Sequence, residues 1–530
     1  NCNDKNVILK TWETKAEMYR EISQYDSAIY CANQMQLSDW IGLTGIMIKA
    51  QSFYRLNEKE LNINIPRVLV GAIQGRSGKT TFTLGLLKAL VDRGLAVQPF
   101  KKGPDYIDPS WMTFASGQQC RNLDLFMMGA DRVRSSFVRN SQGFDISVVE
   151  GAMGLFDGLD VDGSNSSAEL AYTIDAPVIL VVNCTRITRS VAALVNGVTG
   201  FDKRIQIGGV ILNQVARARH ENIMIESIKK YCDVPVLGVL PKNKAVEIPD
   251  RHLGLIPAGE QDMLHTRIET LGNLVKENVD LEALLRVAQH ARPLELSDAQ
   301  KAQIVVDTHN RVTDKVKLGI VRDKAFSFYY PENIEALEDA GAELVAVDAL
   351  HDGKLPDDIC GLYIGGGFPE VMAEEISANR SLLEDIKAKA DAEFPIYAEC
   401  GGLMFLSRNI IDGEAVYPMT GVFDCDVEMT AKPQGIGYTI QRVLPGNPFY
   451  AEGDTVIGHE FHNSRVVNMG ESLQYGFATE RGKCIKPGFD ALVYKNTMAG
   501  YHHLHVYGAP EWADNFCNLA RIWKENGVKQ

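Results

Sequence analysis

The sequence predicts an α/β protein with two mostly parallel sheets flanked by helices. Apolar runs alternate with helical segments over residues 65–260, and a second series of this kind begins at residue 316. A strand, a glycine-rich loop and the start of a helix follow one another over residues 67–81. A second apolar strand ends at Cys400, directly before two glycines. These observations predict two α/β domains, each with chemistry at the end of a strand.

Composition and charge are those of an ordinary globular enzyme. The 530 residues predict two or three domains, and 45% of them are hydrophobic and 23% charged. The net charge of −14, without a long basic run, argues against nucleic acid or anionic membranes as main partners. No apolar stretch approaches the roughly 20 residues that span a bilayer. Ten cysteines without a C-x-x-C pair predict no disulfide framework, so we expect a reducing, cytoplasmic location.

Four segments are predicted along the chain. Residues 1–64 are a helical extension without a chemical motif, for which an interaction arm and an inert packing element are equally compatible. Residues 65–260 form the first α/β domain, 261–315 a polar helical linker, and 316–530 the second domain. Strands of the first domain are expected at 67–73, 95–100, 146–150, 177–183, 207–212 and 235–240. Strands of the second are expected at 317–321, 343–347, 361–364, 395–398, 455–461 and 491–494.

The first candidate site is a variant phosphate-binding loop. Gly75 and Gly78 would let backbone N–H groups turn toward phosphate, Lys79 would reach the outer phosphates, and the Thr80 hydroxyl suits Mg²⁺. Ile73 stands where the usual spacing has glycine. A tight glycine turn with a solvated lysine is the alternative, but the order strand, loop, helix favours nucleotide binding. The residues of this loop predicted to bind ATP are Gly75, Gly78, Lys79, Thr80 and Thr81.

Charged side chains at two further strand ends extend this site. The strand that ends at Glu150 fits the acidic partner of a phosphate-binding loop, which holds Mg²⁺ directly or through water. Another strand is followed by Lys101, Asp105 and Asp108, which would neutralise transition-state charge, hold Mg²⁺ or orient an acceptor. An exposed acid and a surface loop are the alternatives. We predict Lys101 as an ATP contact, Thr80, Asp105 and Glu150 as Mg²⁺ ligands, and Asp108 and Asp157 as groups that position the acceptor.

The second candidate site is Cys400. The free N–H groups at the start of a helix favour a thiolate, and glycines supply the tight backbone of a nucleophile elbow. From this segment alone, a reactive thiol and a buried structural cysteine are equally compatible.

In this order, the motifs resemble those of the cobyrinate a,c-diamide synthase family, glutamine-dependent amidotransferases of tetrapyrrole synthesis. The resemblance extends from about residue 68 to 510. It implies a P-loop domain similar to dethiobiotin synthetase, followed by a class I glutamine amidotransferase domain. The motifs that carry it lie at residues 77–81, 101–109, 122–124, 150–158, 251–255, 326–333, 365–370, 398–404 and 458–462.

The resemblance also implies roles in the second domain. The run Tyr501-His-His-Leu-His505 matches the family form Tyr-x-His-x-His, which makes His503 the base that deprotonates Cys400. His505 falls where other class I enzymes have a glutamate, so the third member of the triad is left open. The oxyanion would be held by backbone N–H groups near Gly366, Gly367 and Gly401.

The implied reaction uses ATP, Mg²⁺ and L-glutamine to amidate a tetrapyrrole polycarboxylate at its a and c acetate carboxylates, with cobyrinate expected first. Asn213 corresponds to the asparagine that reads adenine in dethiobiotin-synthetase-like folds, although a turn asparagine is the alternative. Asn183 stands where many members have Asp, which keeps sirohaem and nickel-sirohydrochlorin open as substrates. A P-loop switch or partitioning-type ATPase and a tetrapyrrole carrier are alternatives of other classes. The sequence leaves a homodimer open.

Overall fold

The computed structural model describes residues 63–242, 261–298 and 314–527, together with Gln300, Lys301 and Ile304. The predicted extension therefore lies outside the described residues except for its last two positions, and the motif at 251–255 lies outside them entirely. The described chain divides into two compact units. Residues 63–125, 129–242 and 262–304 belong to the first, and residues 126–128, 261 and 314–527 belong to the second.

The described part of the first unit contains a parallel sheet. Its strands are β1 (Arg67–Ala72), β2 (Val97–Lys102), β3 (Arg121–Leu123), β4 (Ile146–Glu150), β5 (Val178–Asn183), β6 (Ile207–Val215) and β7 (Val236–Pro241). The strands are arranged in the order β3-β2-β4-β1-β5-β6-β7, with every neighbouring pair parallel. Carboxyl ends of parallel strands meet at one edge of the sheet, where ligands of such folds bind. β3 was not among the predicted strands.

Helices follow most of these strands along the chain, and two more follow the last strand. They are α1 (Lys79–Val91), α2 (Ile107–Ser116), α3 (Leu125–Ser141, interrupted at Gly129), α4 (Ser167–Thr173), α5 (Ser190–Phe201), α6 (Ala218–Tyr231), α7 (Gln261–Asn278) and α8 (Leu281–Gln289). β1 lies in the middle of the sheet and is fully buried. It therefore holds the loop that follows it on a rigid support.

The predicted linker is helical, and α7 and α8 group with the first unit. The apolar side chains Leu271, Val275 and Leu284 on these helices are buried. α7 approaches α1 closely, since a Cβ at Gly85 would lie 2.6 Å from the Leu271 carbonyl oxygen. This contact fixes the outer side of the helix that follows the phosphate-binding loop.

The second unit is built around a ten-stranded mixed sheet in its described part. The strands of this unit are β8 (Val316–Val321), β9 (Phe326–Phe328), β10 (Ala342–Val347), β11 (Leu362–Ile364), β12 (Gly366–Gly367), β13 (Ile396–Glu399), β14 (Asn409–Asp412), β15 (Ala415–Pro418), β16 (Asp426–Met429), β17 (Gly435–Val443), β18 (Thr455–His462), β19 (Ser464–Val467), β20 (Gln474–Arg481), β21 (Phe489–Tyr494), β22 (Thr497–Gly500) and β23 (His503–Leu504). The order of the large sheet is β10-β8-β11-β13-β22-β21-β20-β17-β18-β23. Its first five strands are mutually parallel, and the remaining pairs are antiparallel.

Smaller sheets and helices complete the second unit. β9 pairs with β12, and β15, β14, β16 and β19 form a four-stranded sheet. The helices are α9 (Pro331–Asp339), α10 (Ala373–Ala378), α11 (Arg380–Asp391), α12 (Gly401–Leu406) and α13 (Trp512–Gly527). In the part of the chain that the structure describes, no helix has both the length and the apolar character needed to cross a membrane.

Candidate functional site

The loop between β1 and α1 has the backbone that a phosphate cradle needs. Gly78 immediately precedes α1 and has φ 93°, in the left-handed region that favours glycine. A Cβ at Gly78 would lie 2.1 Å from Nδ2 of Asn213. A Cβ at Gly75 would meet nothing within 4 Å. Of the two predicted glycines, only Gly78 is therefore required by conformation and space.

Asn213 holds this loop from the end of β6. Its Nδ2 donates a hydrogen bond to the Ser77 carbonyl at 2.9 Å, and its Oδ1 accepts one from the Gln214 N–H at 2.9 Å. The side chain is buried. Both amide atoms are thus engaged with the backbone, so adenine recognition by Asn213 stays a prediction.

The structure brings Lys79, Thr80, Lys101 and Glu150 together at the carboxyl edge of the sheet. Thr80 Oγ1 donates to Glu150 Oε1 at 2.6 Å, and Lys101 Nζ donates to the same oxygen at 2.9 Å. Lys79 Nζ donates to the Met153 carbonyl at 2.6 Å. Glu150 is fully buried, and burial raises the pKa of its carboxyl although Lys101 opposes that shift. The other oxygen, Glu150 Oε2, has no hydrogen-bond partner among the residues that the structure describes.

Lys101 links the strand-end acids to one another. Its Nζ also bonds Asp108 Oδ2 and lies 3.7 Å from Asp105 Oδ2. Burial opposes the charge of Lys101, but Glu150, Asp108 and Asp105 outweigh it and raise the pKa of Lys101 well above its usual value. Burial and the charge of Asp108 raise the pKa of Asp105 to about 6. The predicted cluster therefore exists as one electrostatic unit.

Asp157 and Thr81 lie at the margin of this cluster. Asp157 is exposed, and its Oδ2 accepts a hydrogen bond from the Gly154 N–H at 2.9 Å within its own turn. Its charge still acts on Lys79, whose pKa burial lowers. Thr81 is half-buried in the first turn of α1. The roles predicted for Asp157 and Thr81 stay predictions.

The donor set around Glu150 suits a magnesium ion bound together with a nucleotide. The described residues contain no group of three or more His, Cys, Asp or Glu side chains arranged to hold a metal. Mg²⁺ in nucleotide sites takes only one or two protein ligands, and phosphates and water complete its coordination. The Thr80 hydroxyl and the unpartnered Oε2 of Glu150 match that requirement.

In the second unit, Cys400 occupies a sharp turn between β13 and α12. Its backbone has φ 48° and ψ −96°, a region that residues with side chains rarely adopt. Its N–H donates to the Gly500 carbonyl at 2.7 Å, and its Sγ lies 3.7 Å from the Phe461 carbonyl oxygen. The residue is only 7% exposed. This is the strained elbow that the two following glycines predicted.

His503 lies beside Cys400 on the edge strand β23. The ring is hydrogen-bonded to the Cys400 thiol, and its Nδ1 lies 3.5 Å from Glu399 Oε2. Burial alone would lower the pKa of His503, but Cys400 and Glu399 together raise it to about 10. The imidazolium form of His503 is therefore favoured beside the Cys400 sulfur.

The three predicted oxyanion glycines gather around this pair. Gly366 and Gly367 form β12, and a Cβ at Gly366 would lie 2.5 Å from Cε1 of His503. A Cβ at Gly401 would lie 3.1 Å from the Gly367 nitrogen. The absence of side chains thus lets two backbone segments meet at the thiol. Their N–H groups as oxyanion donors stay a prediction.

Sequence reasoning left the partner of His503 open and missed Glu399. His505, at the position where a glutamate was considered, instead has its Nε2 3.9 Å from Glu332 Oε2. Glu399 immediately precedes Cys400, and neighbouring residues on a strand usually point to opposite faces. Because of that expectation, Glu399 was not considered as a partner of His503. The sequence signal that could have indicated it was an acid in an otherwise apolar strand.

Comparisons with known proteins agree with this two-site architecture. Residues 68–256 match the family model described as CobQ/CobB/MinD/ParA nucleotide binding domain. Residues 317–510 match the CobB/CobQ-like glutamine amidotransferase domain. A cobyrinate a,c-diamide synthase of Magnetococcus marinus is 44% identical over 87% of this chain and 98% of its own. The chain belongs to the cobyrinate a,c-diamide synthase family.

Two other relatives bear the same name. The Methanosarcina barkeri protein is 36% identical over 89% of this chain and 99% of its own. The Listeria monocytogenes serotype 4b protein is 41% identical over 83% of this chain and 96% of its own. The predicted order, a P-loop domain and then a class I glutamine amidotransferase domain, is confirmed. The chain is an enzyme of the glutamine-hydrolysing carbon–nitrogen ligase class, with a nucleotide-binding domain.

Proposed function

We propose that this enzyme uses ATP and glutamine to convert the a and c acetate carboxylates of cobyrinate to primary amides. The observation that carries the proposal is the buried Cys400–His503 pair in a chain that also holds the Lys79, Thr80 and Glu150 cluster. Carboxylates do not react with ammonia unaided, because the anion is a poor electrophile. Amide formation therefore needs two sites, one that releases ammonia and one that activates the carboxylate.

The thiol site would release ammonia in two steps. The Cys400 thiolate attacks the carboxamide carbon of glutamine, and the negative charge that develops on the oxygen is met by N–H groups of Gly367 and Gly401. The carbon–nitrogen bond then breaks, and the His503 imidazolium gives its proton to the leaving nitrogen, so ammonia departs. Water, deprotonated by His503, hydrolyses the thioester and frees glutamate and the thiol.

The nucleotide site would activate the acceptor. A carboxylate oxygen of the tetrapyrrole attacks the γ-phosphorus of ATP, and the bond to the β-phosphate oxygen breaks, which gives an acyl phosphate and ADP. Ammonia attacks the acyl carbon, loses a proton and displaces inorganic phosphate. Lys79 and Lys101 would neutralise phosphate charge, while Asp108 and Asp157 would orient the acceptor.

Thr80 and Glu150 would hold a Mg²⁺ ion, and Asp105 is the third predicted ligand. When bound, the ion would neutralise charge on the phosphate oxygens. Lys101 Nζ donates to Glu150 and Asp108 and so holds these two acids close to each other.

The most specific part of the proposed function is the identity of the tetrapyrrole substrate. Cobyrinate is favoured because the relatives described above bear that name and are matched over nearly their full length. Sirohaem and nickel-sirohydrochlorin remain the alternatives, because Asn183 replaces a carboxylate common in the family. A P-loop switch is disfavoured, because it does not require the buried thiol pair of the second unit.

The test separates the two sites by their nitrogen source. Purified protein is incubated with MgATP and each of the three tetrapyrroles, with either glutamine or ammonium, and the products are weighed by mass spectrometry. We expect two carboxyl-to-amide exchanges on cobyrinate. Cys400→Ala should lower the glutamine-driven rate at least about 10³-fold and leave the ammonia-driven rate unchanged.

Lys79→Ala is the matched variant for the other site and should abolish both routes. Glutamine-driven amidation that survives in Cys400→Ala would exclude Cys400 as the nucleophile. Amidation that survives in Lys79→Ala would exclude the phosphate-binding loop as the site of activation. If only another tetrapyrrole is amidated, cobyrinate is wrong as the substrate, but the proposed reaction stands.

A further inference from the structure

We propose that Glu399, the residue directly before the nucleophile, is the positioning carboxylate that completes the glutaminase triad. This inference rests on the proposed glutaminase chemistry of Cys400 and His503. It places the third member of the triad on β13, whereas the sequence considered only the position two residues after His503. Glu399 acts through His503 and does not itself touch the substrate.

The contact between Glu399 and His503 has the geometry of an orienting pair. Glu399 Oε2 lies 3.5 Å from His503 Nδ1, and the two side chains are 1% and 2% exposed. Among the described residues, no group other than His503 bonds Oε2. Oε2 is therefore available to the imidazole N–H, which a small rotation of the ring would bring closer.

The second carboxylate oxygen fixes the direction of the first. Glu399 Oε1 accepts hydrogen bonds from the Leu504 N–H at 3.2 Å and from the Tyr363 hydroxyl at 3.3 Å. Leu504 directly follows His503, so one carboxylate holds both the backbone and the ring of the catalytic histidine. A carboxylate held by two donors keeps its remaining oxygen in a fixed position.

The segment after His503 is also held from α9. Asn333 is fully buried, and its Nδ2 donates to the Leu504 carbonyl at 2.9 Å. Its Oδ1 accepts from the Val506 N–H at 2.7 Å. The strand that carries His503 is thus fixed on both sides, and Glu399 contacts the imidazole itself.

Another buried histidine–glutamate pair of this segment is formed by His505 and Glu332. His505 Nδ1 accepts a hydrogen bond from the Tyr507 N–H at 3.3 Å, so its other nitrogen faces Glu332 at 3.9 Å. This pair is also buried, but His503, not His505, carries the bond to the Cys400 thiol. Glu332 therefore offers a matched control, a buried glutamate beside a buried histidine of the same segment.

The charges around His503 explain what Glu399 contributes. Cys400 faces the ring, His459 stacks on it with ring centroids 4.9 Å apart, and His502 precedes it in the chain. Burial and the neighbouring imidazoles lower the pKa of His459 well below its usual value, and the pKa of His502 falls to about 3. Both rings are therefore neutral at physiological pH. Burial raises the pKa of Glu399, and bonds from His503, Leu504 and Tyr363 oppose that rise, so this carboxylate is the negative group that faces the imidazolium.

The experiment compares Glu399→Gln, Glu399→Asp and Glu332→Gln in the full-length enzyme. Glutamine hydrolysis is measured across pH, with the ammonia-driven rate as a check on folding. We expect Glu399→Gln to lower kcat for glutamine about 10²-fold, with little change in KM. Because the amide removes a negative charge beside the imidazolium, the alkaline limb of kcat/KM should move to lower pH by about one unit or more.

The two other variants separate charge from packing. Glu399→Asp keeps the charge, so its alkaline limb should stay near that of the wild type even where kcat falls; this variant also decides the matter if Glu399→Gln is insoluble. Glu332→Gln should keep both kcat and the pH profile. The inference is overturned if Glu399→Gln keeps the kcat of the wild type. It is also overturned if the alkaline limb of kcat/KM in Glu399→Asp moves to lower pH as far as it does in Glu399→Gln. Loss in Glu332→Gln equal to that in Glu399→Gln also overturns it. Failure of the wild type to hydrolyse glutamine would instead overturn the proposed function.

Discussion

The nucleotide site and the thiol site solve opposite problems. At the nucleotide site, Lys101 bonds Glu150 and Asp108, and Lys79 bonds a backbone carbonyl. These charges satisfy one another in the structure, and in the proposed reaction phosphate and Mg²⁺ would replace those bonds. At the thiol site, Cys400 and His503 already form a polarised pair that is almost closed to water. Under the proposed function, the first site would exchange partners when ligands bind, whereas the second would hold its reacting groups together beforehand.

The two sites also differ in the backbone features on which they depend. The phosphate-binding loop depends on one backbone position and one tether, Gly78 and Asn213. The elbow depends on an unfavourable backbone at Cys400 that its surroundings impose. Substitutions that change backbone freedom should therefore weaken ligand binding at one site and relieve strain at the other.

The largest effect is expected for Gly78→Ala. The new Cβ would lie 2.1 Å from Asn213 Nδ2 at a backbone with φ 93°, so the loop must shift and the Asn213–Ser77 hydrogen bond must break. We expect MgATP affinity to fall about 10²-fold, by the combined cost of strain and a lost hydrogen bond. Equilibrium binding of ATP to the full-length protein, by titration calorimetry, measures it.

Gly75→Ala is the matched control, because its Cβ would meet open space. It should bind ATP within about threefold of the wild type, as unstrained surface substitutions do. Equal losses in the two variants would mean that the loop tolerates no side chain at all. Equal retention would mean that Asn213 is not what holds the loop.

The contrast between these glycines also marks how far sequence could go. The run Gly-Lys-Thr is local, so its strand, loop and helix follow from a short stretch of sequence. The Asn213 tether joins residues 136 positions apart. The sequence pattern identified Asn213 as a strand-end asparagine. It could not show that the Asn213 amide donates its hydrogen bond to the Ser77 carbonyl. Contacts between distant strand ends depend on sheet order, which periodicity does not supply.

At the elbow, Cys400→Gly and Cys400→Ala should differ in stability although both lack the thiol. Glycine relieves the strain at φ 48° and ψ −96°, while alanine keeps it. After allowance for the greater unfolded-state entropy of glycine, we expect Cys400→Gly to be more stable by about 1–2 kcal/mol. Urea unfolding followed by tryptophan fluorescence reports the difference.

Cys425 supplies the control, since it is also buried and is not among the residues with positive φ. There, glycine should be less stable than alanine by about 1 kcal/mol. The same order of stability at both cysteines would show that the elbow stores no strain. Conversely, opposite orders would locate the strain at the nucleophile alone.

Glu399 shows the other limit of sequence reasoning. The strand, the elbow and the two glycines around Cys400 were all predicted from a contiguous run. The role of Glu399 was missed, because it depends on β23 lying against β18 with His459 opposite His503, and on a turn at Cys400 that strand alternation does not describe. Local patterns predict elements and nucleophiles, whereas the partner of a base is set by strand register.

The smallest expected effect is on the pH dependence of stability. It compares Glu370, a buried acid of the second unit, with Asp92, an acid of the first unit that is paired with lysines. Glu370 lies in the turn after β12, and burial raises its pKa to about 7. No described residue forms an ion pair with it. A folded-state pKa above the unfolded value means that stability falls as pH rises from about 4.5 through 7. Glu370→Gln removes that loss, so the variant should match the wild type at pH 4.5 and be more stable by about 1 kcal/mol at pH 8.5.

Asp92→Asn gives the opposite sign and completes the comparison. Burial acts against the Asp92 carboxylate, but Lys276 and Lys88 outweigh it and lower its pKa. The stability that Asp92 contributes is therefore present above its unfolded pKa of about 3.8 and is lost as pH falls below it. Thermal unfolding midpoints at pH 4.5 and 8.5, by scanning calorimetry, should rise with pH for Glu370→Gln relative to the wild type. For Asp92→Asn the midpoint should lie below the wild type at both of these pH values, and the deficit should shrink only below about pH 3.8. A pH-independent difference for Glu370→Gln would mean that this carboxyl ionises normally, and that burial in the second unit is compensated as fully as it is beside Lys88 and Lys276.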